Sequence, residues 1–185
     1  MKVIEQEIHS LKNSISEMWA LVHQQLYNAG EAMLTGDKEL AYKVISRERR
    51  VNAFELKIDS DCEDIIALYA PVAIDLRFVL AMYKINTNLE RLGDFAESIA
   101  RFAGNLPEGE PIDPQLVKET RVEEMLSELL SMISLTKEAF EKESSEIASR
   151  IFLKDNLIDE INHNSTAIIA KYIEEHKGCL LYTSD

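Results

Sequence analysis

Hydrophobic residues recur every three or four positions along most of this chain, and this spacing is typical of amphipathic helices. Five such apolar stripes are present, at residues 4–33, 40–68, 72–102, 122–140 and 147–172. No segment alternates between hydrophobic and polar residues over the length of a strand. The pattern therefore predicts an all-α protein of long helices with essentially no sheet.

The ends of the predicted helices follow from capping residues and helix breakers. Gly36 is expected to end the first helix, and Asp37 is well placed to cap the second. Gly104 is expected to stop the third helix. Asp113 and Pro114 have the residue types of an N-cap and a first helical position, so we expect one continuous fourth helix to start there.

The chain is predicted to fold as two tandem antiparallel three-helix bundles, the second of them incomplete. The stretch 106–114 contains three of the four prolines and separates a first bundle, 1–105, from a partial second bundle, 115–177. The tail, 178–185, continues neither the helical pattern nor the repeat described next.

An internal repeat favours two copies of one three-helix unit. A shift of 107 residues places Asp155 on Glu48 and Asp159 on Asn52, between matching apolar positions. The counterpart of the third helix would then begin near Gly178. We therefore expect a C-terminally truncated version of a longer protein, with an apolar face left open on the second bundle.

The charge balance narrows the possible partners. The 185 residues include 20 Lys and Arg against 33 Asp and Glu, a formal net charge of −13. This acid excess disfavours nucleic acid and direct adhesion to an anionic membrane, because both need basic residues. Cys62 and Cys179 are too few for a disulfide framework, and no apolar run is long enough to span a bilayer. We expect a soluble, cytoplasmic protein.

Carboxylates at helical spacing are the candidate functional groups. Glu90 and Asp94 lie four residues apart on the third predicted helix, Asp155 and Asp159 do so on the fifth, and Glu48 begins a similar stripe on the second. Such groups on neighbouring helices can hold a metal ion or cluster. The alternative is a solvent-exposed acidic helix face, which is common in a chain with 33 acids.

Motifs of the common enzyme classes are absent from the sequence. The chain has no phosphate-binding glycine loop, no serine-hydrolase elbow and no HExxH zinc motif. A di-iron oxidase needs paired Glu-x-x-His motifs, whereas only Glu160 and His163 form one. A di-iron oxidase is therefore disfavoured. The rival from another functional class is a metal-dependent hydrolase that uses Glu90 and Asp94.

Two long motifs closely resemble the PhoU family of phosphate-signalling proteins. They are Pro71-Val-Ala-Ile-Asp-Leu-Arg-Phe78 and Leu89-Glu-Arg-Leu-Gly-Asp-Phe-Ala-Glu-Ser-Ile-Ala100. Two shorter segments, Arg47-Glu-Arg-Arg-Val-Asn52 and Lys154-Asp-Asn-Leu-Ile-Asp159, resemble the family's helix-two motif in its two copies. The resemblance extends over about residues 3–176 and implies the two-bundle fold predicted above.

The resemblance implies a cytoplasmic, non-enzymatic regulator that represses phosphate-starvation genes when phosphate is plentiful. The implied partners are the ATPase subunit of a phosphate ABC transporter and a sensor histidine kinase, and we expect a homodimer. The alternative with the same fold is an accessory domain of another phosphate transporter.

The resemblance also implies iron or zinc held by acidic helix motifs. The implied metal ligands are Glu48, Glu90, Asp94, Asp155 and Asp159. Asn52 stands where the first copy would carry a second carboxylate, which leaves that site with a neutral oxygen donor. The second copy lacks its third helix in this sequence. Partial metal occupancy is therefore expected.

Overall fold

The computed structural model describes residues 3–107 and 111–176, and the predicted tail and the middle of the predicted linker lie outside these ranges. The described residues form six α-helices and no strand, so the all-α prediction is confirmed. The helices are α1 Val3–Thr35, α2 Lys38–Tyr69, α3 Ala73–Asn105, α4 Pro114–Thr120, α5 Val122–Glu141 and α6 Ser145–Glu175.

Two predicted helix caps are present. The Asp37 carboxylate accepts a hydrogen bond of 2.9 Å from the backbone N–H of Leu40, at the start of α2. The Asp113 carboxylate accepts one of 2.8 Å from the N–H of Gln115, and Pro114 is the first residue of α4. These side chains bind N–H groups that have no partner inside the helix, which explains why both helices begin where they do.

Two predicted helix boundaries are wrong. Gly104 lies inside α3, which continues to Asn105, so it does not stop that helix. The predicted fourth helix is divided into α4 and α5, because Arg121 adopts a left-handed backbone with φ of 54°. The guanidinium of Arg121 forms ion pairs with Glu124 at 2.7 Å and with Glu160 at 2.9 Å. These ion pairs occur at a helix break that the apolar spacing of the sequence does not predict.

The chain divides into two compact units. Unit 1 consists of Met1–Met33 and Asp37–Leu106, and unit 2 consists of Leu34–Gly36 and Pro107–Asp185. The last two residues of α1, Leu34 and Thr35, are therefore grouped with unit 2. Among the described residues, no helix is long and apolar enough to cross a membrane.

In unit 1, α1, α2 and α3 share one hydrophobic core. The residues that are at most 2% exposed include Leu11, Ile15, Met18 and Val22 of α1, Val44, Val51 and Ile58 of α2, and Val79, Met82 and Leu89 of α3. Trp19 is buried as its place on the apolar stripe predicts. Tyr83 also lies on an apolar stripe, but it is 43% exposed.

Helices α2 and α3 approach each other very closely at Gly93. A Cβ added to Gly93 would lie 2.8 Å from Cγ1 of Val51, which is closer than two carbon atoms can pack. Further along α3, Ala96, Ala100 and Ala103 are also buried, and they pack in one cluster with small residues of α1 and α2. Small side chains therefore let the two helices run side by side.

Unit 2 has a smaller core in the described residues. Helix α6 packs against both α5 and α4, and the hydroxyl of Tyr172 donates a hydrogen bond of 2.7 Å to the Asp113 carboxylate. The hydrophobic residues that are buried here are Val117, Ala139 and Ile161. Ile151 and Ile158 of α6 are only half-buried, whereas their counterparts in the repeat, Val44 and Val51 of α2, are buried.

We predict that Gly93→Ala destabilises the protein. The added methyl group raises helix propensity by about 1 kcal/mol, but it overpacks the site against Val51 at a cost of about 1–3 kcal/mol. The free energy of unfolding should therefore fall, by up to about 2 kcal/mol. Urea denaturation followed by circular dichroism measures this change.

Gly104→Ala is the matched control, because it lies on the same helix with room for a methyl group. The nearest atom to an added Cβ is Cε1 of Tyr42 at 3.8 Å, so Gly104→Ala should stabilise the protein by up to about 1 kcal/mol. Shortening Val51 to Ala should partly rescue Gly93→Ala. Equal stabilisation by the two glycine substitutions would show that α2 and α3 do not meet at Gly93.

Candidate functional site: an acidic surface on helices α2 and α3

The α2–α3 contact brings five carboxylates of unit 1 near one another. Glu48 and Glu55 come from α2, and Glu90, Asp94 and Glu97 come from α3. We call this group the acidic cluster. Its charges act on one another across the helix pair, so the acidic stripes predicted on the second and third helices do face each other in unit 1.

Glu48 is the most buried member of the acidic cluster. Glu48 is only 8% exposed, and its carboxylate accepts a hydrogen bond of 2.8 Å from Nδ2 of Asn52. Burial raises the pKa of Glu48, and the negative charges of Glu97 and Asp94 raise it further. Asn52 stabilises the ionised form and opposes this shift, but the net direction is upward.

Glu90 lies one helical turn before Asp94 and is half-buried. Burial is the largest cause of its raised pKa, followed by the charges of Asp94 and Glu55 and by a hydrogen bond between the Glu90 and Asp94 carboxyl groups. The structure thus brings together three of the predicted metal ligands, Glu48, Glu90 and Asp94, and adds Glu55 and Glu97 beside them.

The acidic cluster is poor in positive charge. Glu97 forms an ion pair of 2.6 Å with Arg101, one turn further along α3. Within the described ranges, Glu48, Glu90 and Asp94 have no Lys, Arg or His side chain in ion-pair contact. The raised pKa values of Glu48 and Glu90 therefore follow first from burial and then from the neighbouring negative charges.

Asn86 continues the acidic cluster toward the start of α3. Its Nδ2 donates hydrogen bonds of 2.7 Å to Oδ1 of Asp59 and of 2.9 Å to the backbone carbonyl of Glu55. Asn86 is fully buried, and its Oδ1 accepts no hydrogen bond in the structure. The sequence pattern placed Asn86 on the same stripe as Glu90, but nothing in the spacing indicated that it would be buried as a link between two helices.

Asp155 and Asp159 occupy a different environment. Both lie on α6 of unit 2 and are exposed to solvent, as is His163. The adjacent Lys154 pairs with Glu128 of α5 at 2.9 Å. In unit 1 the matching residue Glu48 has α3 beside it, whereas α6 packs against α5 and α4 in the described part of unit 2. No paired acidic surface forms around Asp155 and Asp159 there.

The donor chemistry of the acidic cluster fits a hard cation. All its side chains offer oxygen atoms, which suit cations such as Mg²⁺, Mn²⁺ or iron better than zinc, since zinc favours His and Cys ligands. The unpaired charge of Glu48, Glu90 and Asp94 favours such an ion. In the described residues, however, no three His, Cys, Asp or Glu side chains converge closely enough to hold a metal ion. The site therefore provides the charge and the donor atoms without a formed coordination shell.

Comparison with known proteins identifies the family. A family model described as the PhoU domain matches residues 15–103, all of which except Leu34–Gly36 lie in unit 1. A "Phosphate-specific transport system accessory protein PhoU homolog" of Aquifex aeolicus is 33% identical over 171 residues, covering 91% of this chain and 75% of that relative. The Escherichia coli K12 "Phosphate-specific transport system accessory protein PhoU" is 34% identical over 154 residues, covering 83% of this chain and 62% of that protein.

Solved structures show the same relationship. The "phosphate transport system regulatory protein PhoU from Streptococcus pneumoniae" superposes with a TM-score of 0.82 at 28% identity, covering 93% of this chain and 79% of that one. PhoU from Pseudomonas aeruginosa superposes with a TM-score of 0.85 at 27% identity, covering 92% and 80%. The sequence similarity reaches across both units and the helical architecture agrees, so this chain belongs to the PhoU family.

Proposed function

We propose that this protein is a regulator of phosphate homeostasis that restrains phosphate uptake and phosphate-starvation signalling. One observation carries the proposal: curated accessory proteins of the phosphate-specific transport system are 30–35% identical to it over most of its length. The similarity includes both units and is not confined to the α2–α3 motifs. A role through protein contact suits a family of regulatory accessory proteins better than a catalytic role does.

The proposed partners are the ATPase subunit of a phosphate ABC transporter and the cytoplasmic part of a sensor histidine kinase. The protein would then work in the cytoplasm and reach the membrane through these partners. Its net charge of −13 supports association with basic partner surfaces. Such attraction speeds the encounter of two proteins and weakens as salt screens it.

Direct binding tests this proposal. We predict that the purified full chain binds the ATPase subunit or the kinase cytoplasmic domain, and that its affinity falls when the ionic strength rises from about 0.05 M to about 0.5 M, because the Debye length shortens to a few ångströms. Isothermal titration calorimetry at both salt concentrations measures the effect. Failure to bind either partner at low salt would contradict the proposed function.

A phosphatase assay tests the rival hypothesis of a metal-dependent hydrolase. Release of phosphate from phosphomonoesters is assayed with added Mg²⁺, Mn²⁺ or Fe²⁺, for the wild type and for Glu90→Gln. The regulatory proposal expects no turnover above the background without protein. Turnover that Glu90→Gln abolishes would favour the metal-dependent enzyme instead.

We further propose that a hard metal cation neutralises the acidic cluster. Glu48, Glu90 and Asp94 would hold it, and the amide oxygen of Asn52 is available as a weaker donor if its hydrogen bond to Glu48 is released. The cation would supply positive charge between α2 and α3 and so stabilise unit 1. The donor set favours iron over zinc, because it contains carboxylates and lacks His and Cys.

We predict that Glu90→Gln stabilises the metal-free protein at pH 7 by a few tenths of a kcal/mol, since it removes a like-charge pair one helical turn apart. Burial and the neighbouring carboxylates hold the folded-state pKa of Glu90 above the ordinary glutamate value of 4.5. The repulsion is therefore present at neutral pH and is lost as the pH falls through the folded-state pKa. The gain from Glu90→Gln should vanish below about pH 4.5 in thermal melts with chelator.

Added metal should reverse the effect of Glu90→Gln on stability. With added Fe²⁺ or Mn²⁺ the wild-type melting temperature should rise with metal concentration, and Glu90→Gln should lose most of that rise, because a cation stabilises only the state that binds it. Asp155→Asn is the matched control, since it removes an exposed carboxylate of α6, and it should keep the response. Unchanged metal loading in a protein with Glu90→Ala and Asp94→Ala would contradict the assignment.

A further inference from the structure

The connection between α2 and α3 carries an unusually apolar surface. Leu68, Val72 and Ile74 are 72%, 73% and 77% exposed, and Tyr69 is exposed over more than a third of its surface. We call these four residues the apolar tip. They fall within seven consecutive residues, so they form one patch at the end of the α2–α3 hairpin in unit 1. Patches of this kind on a protein surface mark sites of interaction.

The fold of unit 1 does not use the apolar tip. Pro71 is buried within the connection, and Ile65 and Val79 fill the core on either side of it. The helix end is satisfied by the backbone, because the N–H of Ala70 donates to the carbonyl of Ile66. The exposed side chains of Leu68, Val72 and Ile74 take no part in these contacts. Polar residues at these positions would therefore allow the same turn to form.

The backbone of the connection is held in a strained shape. Ala70 and Ala73 have φ of 45° and 48°, a region in which glycine is the usual residue. A residue with a Cβ is strained in this region. Buried Pro71 lies between them and restricts the chain further. The connection therefore presents the tip side chains in a defined geometry.

The charges beside the apolar tip indicate the kind of partner. Glu63, Asp64 and Asp75 flank it, and within the described ranges none of them has an ion-pair partner. Arg77 is the nearby cation in the sequence. An acidic border opposes insertion into an anionic lipid surface and complements a protein surface with Lys and Arg.

We infer that the apolar tip is the docking surface through which unit 1 binds a protein partner, and that this partner offers an apolar groove bordered by basic side chains. The inference rests on the proposed function, since it assigns the partner contact to a particular surface. Along α3 the last residue of the tip, Ile74, lies 16 residues before Glu90, about 24 Å of helix. Docking at the tip is therefore separable from metal at the acidic cluster.

A triple variant of the full chain tests the docking surface: Leu68→Gln, Val72→Ser and Ile74→Gln. Folding should be kept, because Val72 is the N-cap of α3 without a side-chain hydrogen bond, and serine supplies one. We expect the affinity for the ATPase subunit or the kinase domain to fall at least about tenfold. Leu56→Gln is the matched control, since it removes an apolar side chain of α2 that is 69% exposed and lies outside the tip, and it should bind as the wild type does.

A charge variant tests the chemistry of the partner. Glu63→Lys with Asp64→Lys should weaken binding and reduce its salt dependence, because it places positive charge against a basic border. Unchanged or tighter binding would overturn the basic border of the proposed groove. Circular dichroism melts of every variant establish that the fold is retained.

The remaining outcomes distinguish the two proposals. If the wild type binds a partner and the triple variant binds it equally well, the docking inference is overturned and the proposed function stands. If the folded wild type binds neither the ATPase subunit nor the kinase domain, the proposed function itself is contradicted. Flotation with vesicles of phosphatidylcholine and phosphatidylglycerol gives a third result: wild-type binding that the triple variant loses would assign the tip to a membrane and overturn the protein partner.

Discussion

The close approach of α2 and α3 at Gly93 and Val51 is the contact on which the functional surface depends. It exists because residue 93 has no side chain, so the two helix backbones come nearer than a Cβ would allow. Buried alanines keep α3 close to the core as the contact continues. With the helices this close, the polar residues at the edges of their apolar stripes have to lie beside one another.

Packing outweighs the electrostatic repulsion that this arrangement creates. Like charges one turn apart destabilise a helix by a few tenths of a kcal/mol, whereas burying one large aliphatic side chain contributes about 1.5–3 kcal/mol. Val51, Ile58, Met82 and Leu89 are all buried at this contact or near it. The helices therefore stay together, and burial, with the neighbouring carboxylates adding to it, raises the pKa values of Glu48 and Glu90.

The helical period and most helix positions could be read from the sequence, because apolar spacing and capping chemistry are local. Asp37 and Asp113 cap helices as their residue types indicate. The break at Arg121 could not be read in this way, since it coincides with ion pairs to Glu124 and to the distant Glu160. Tyr83 lies on an apolar stripe yet is exposed, as are Leu80 and Phe95 of the same helix.

The acidic cluster shows what the spacing of carboxylates along one helix cannot predict. Glu48 and Asp155 hold matching positions in the two copies of the repeat, yet one is buried among other carboxylates and the other is exposed. The difference lies in the neighbouring helix: α3 runs beside α2, whereas the described part of unit 2 packs α6 against α5 and α4. A carboxylate pair on one helix predicts which face is acidic, but a second helix at close range decides whether that face becomes a site.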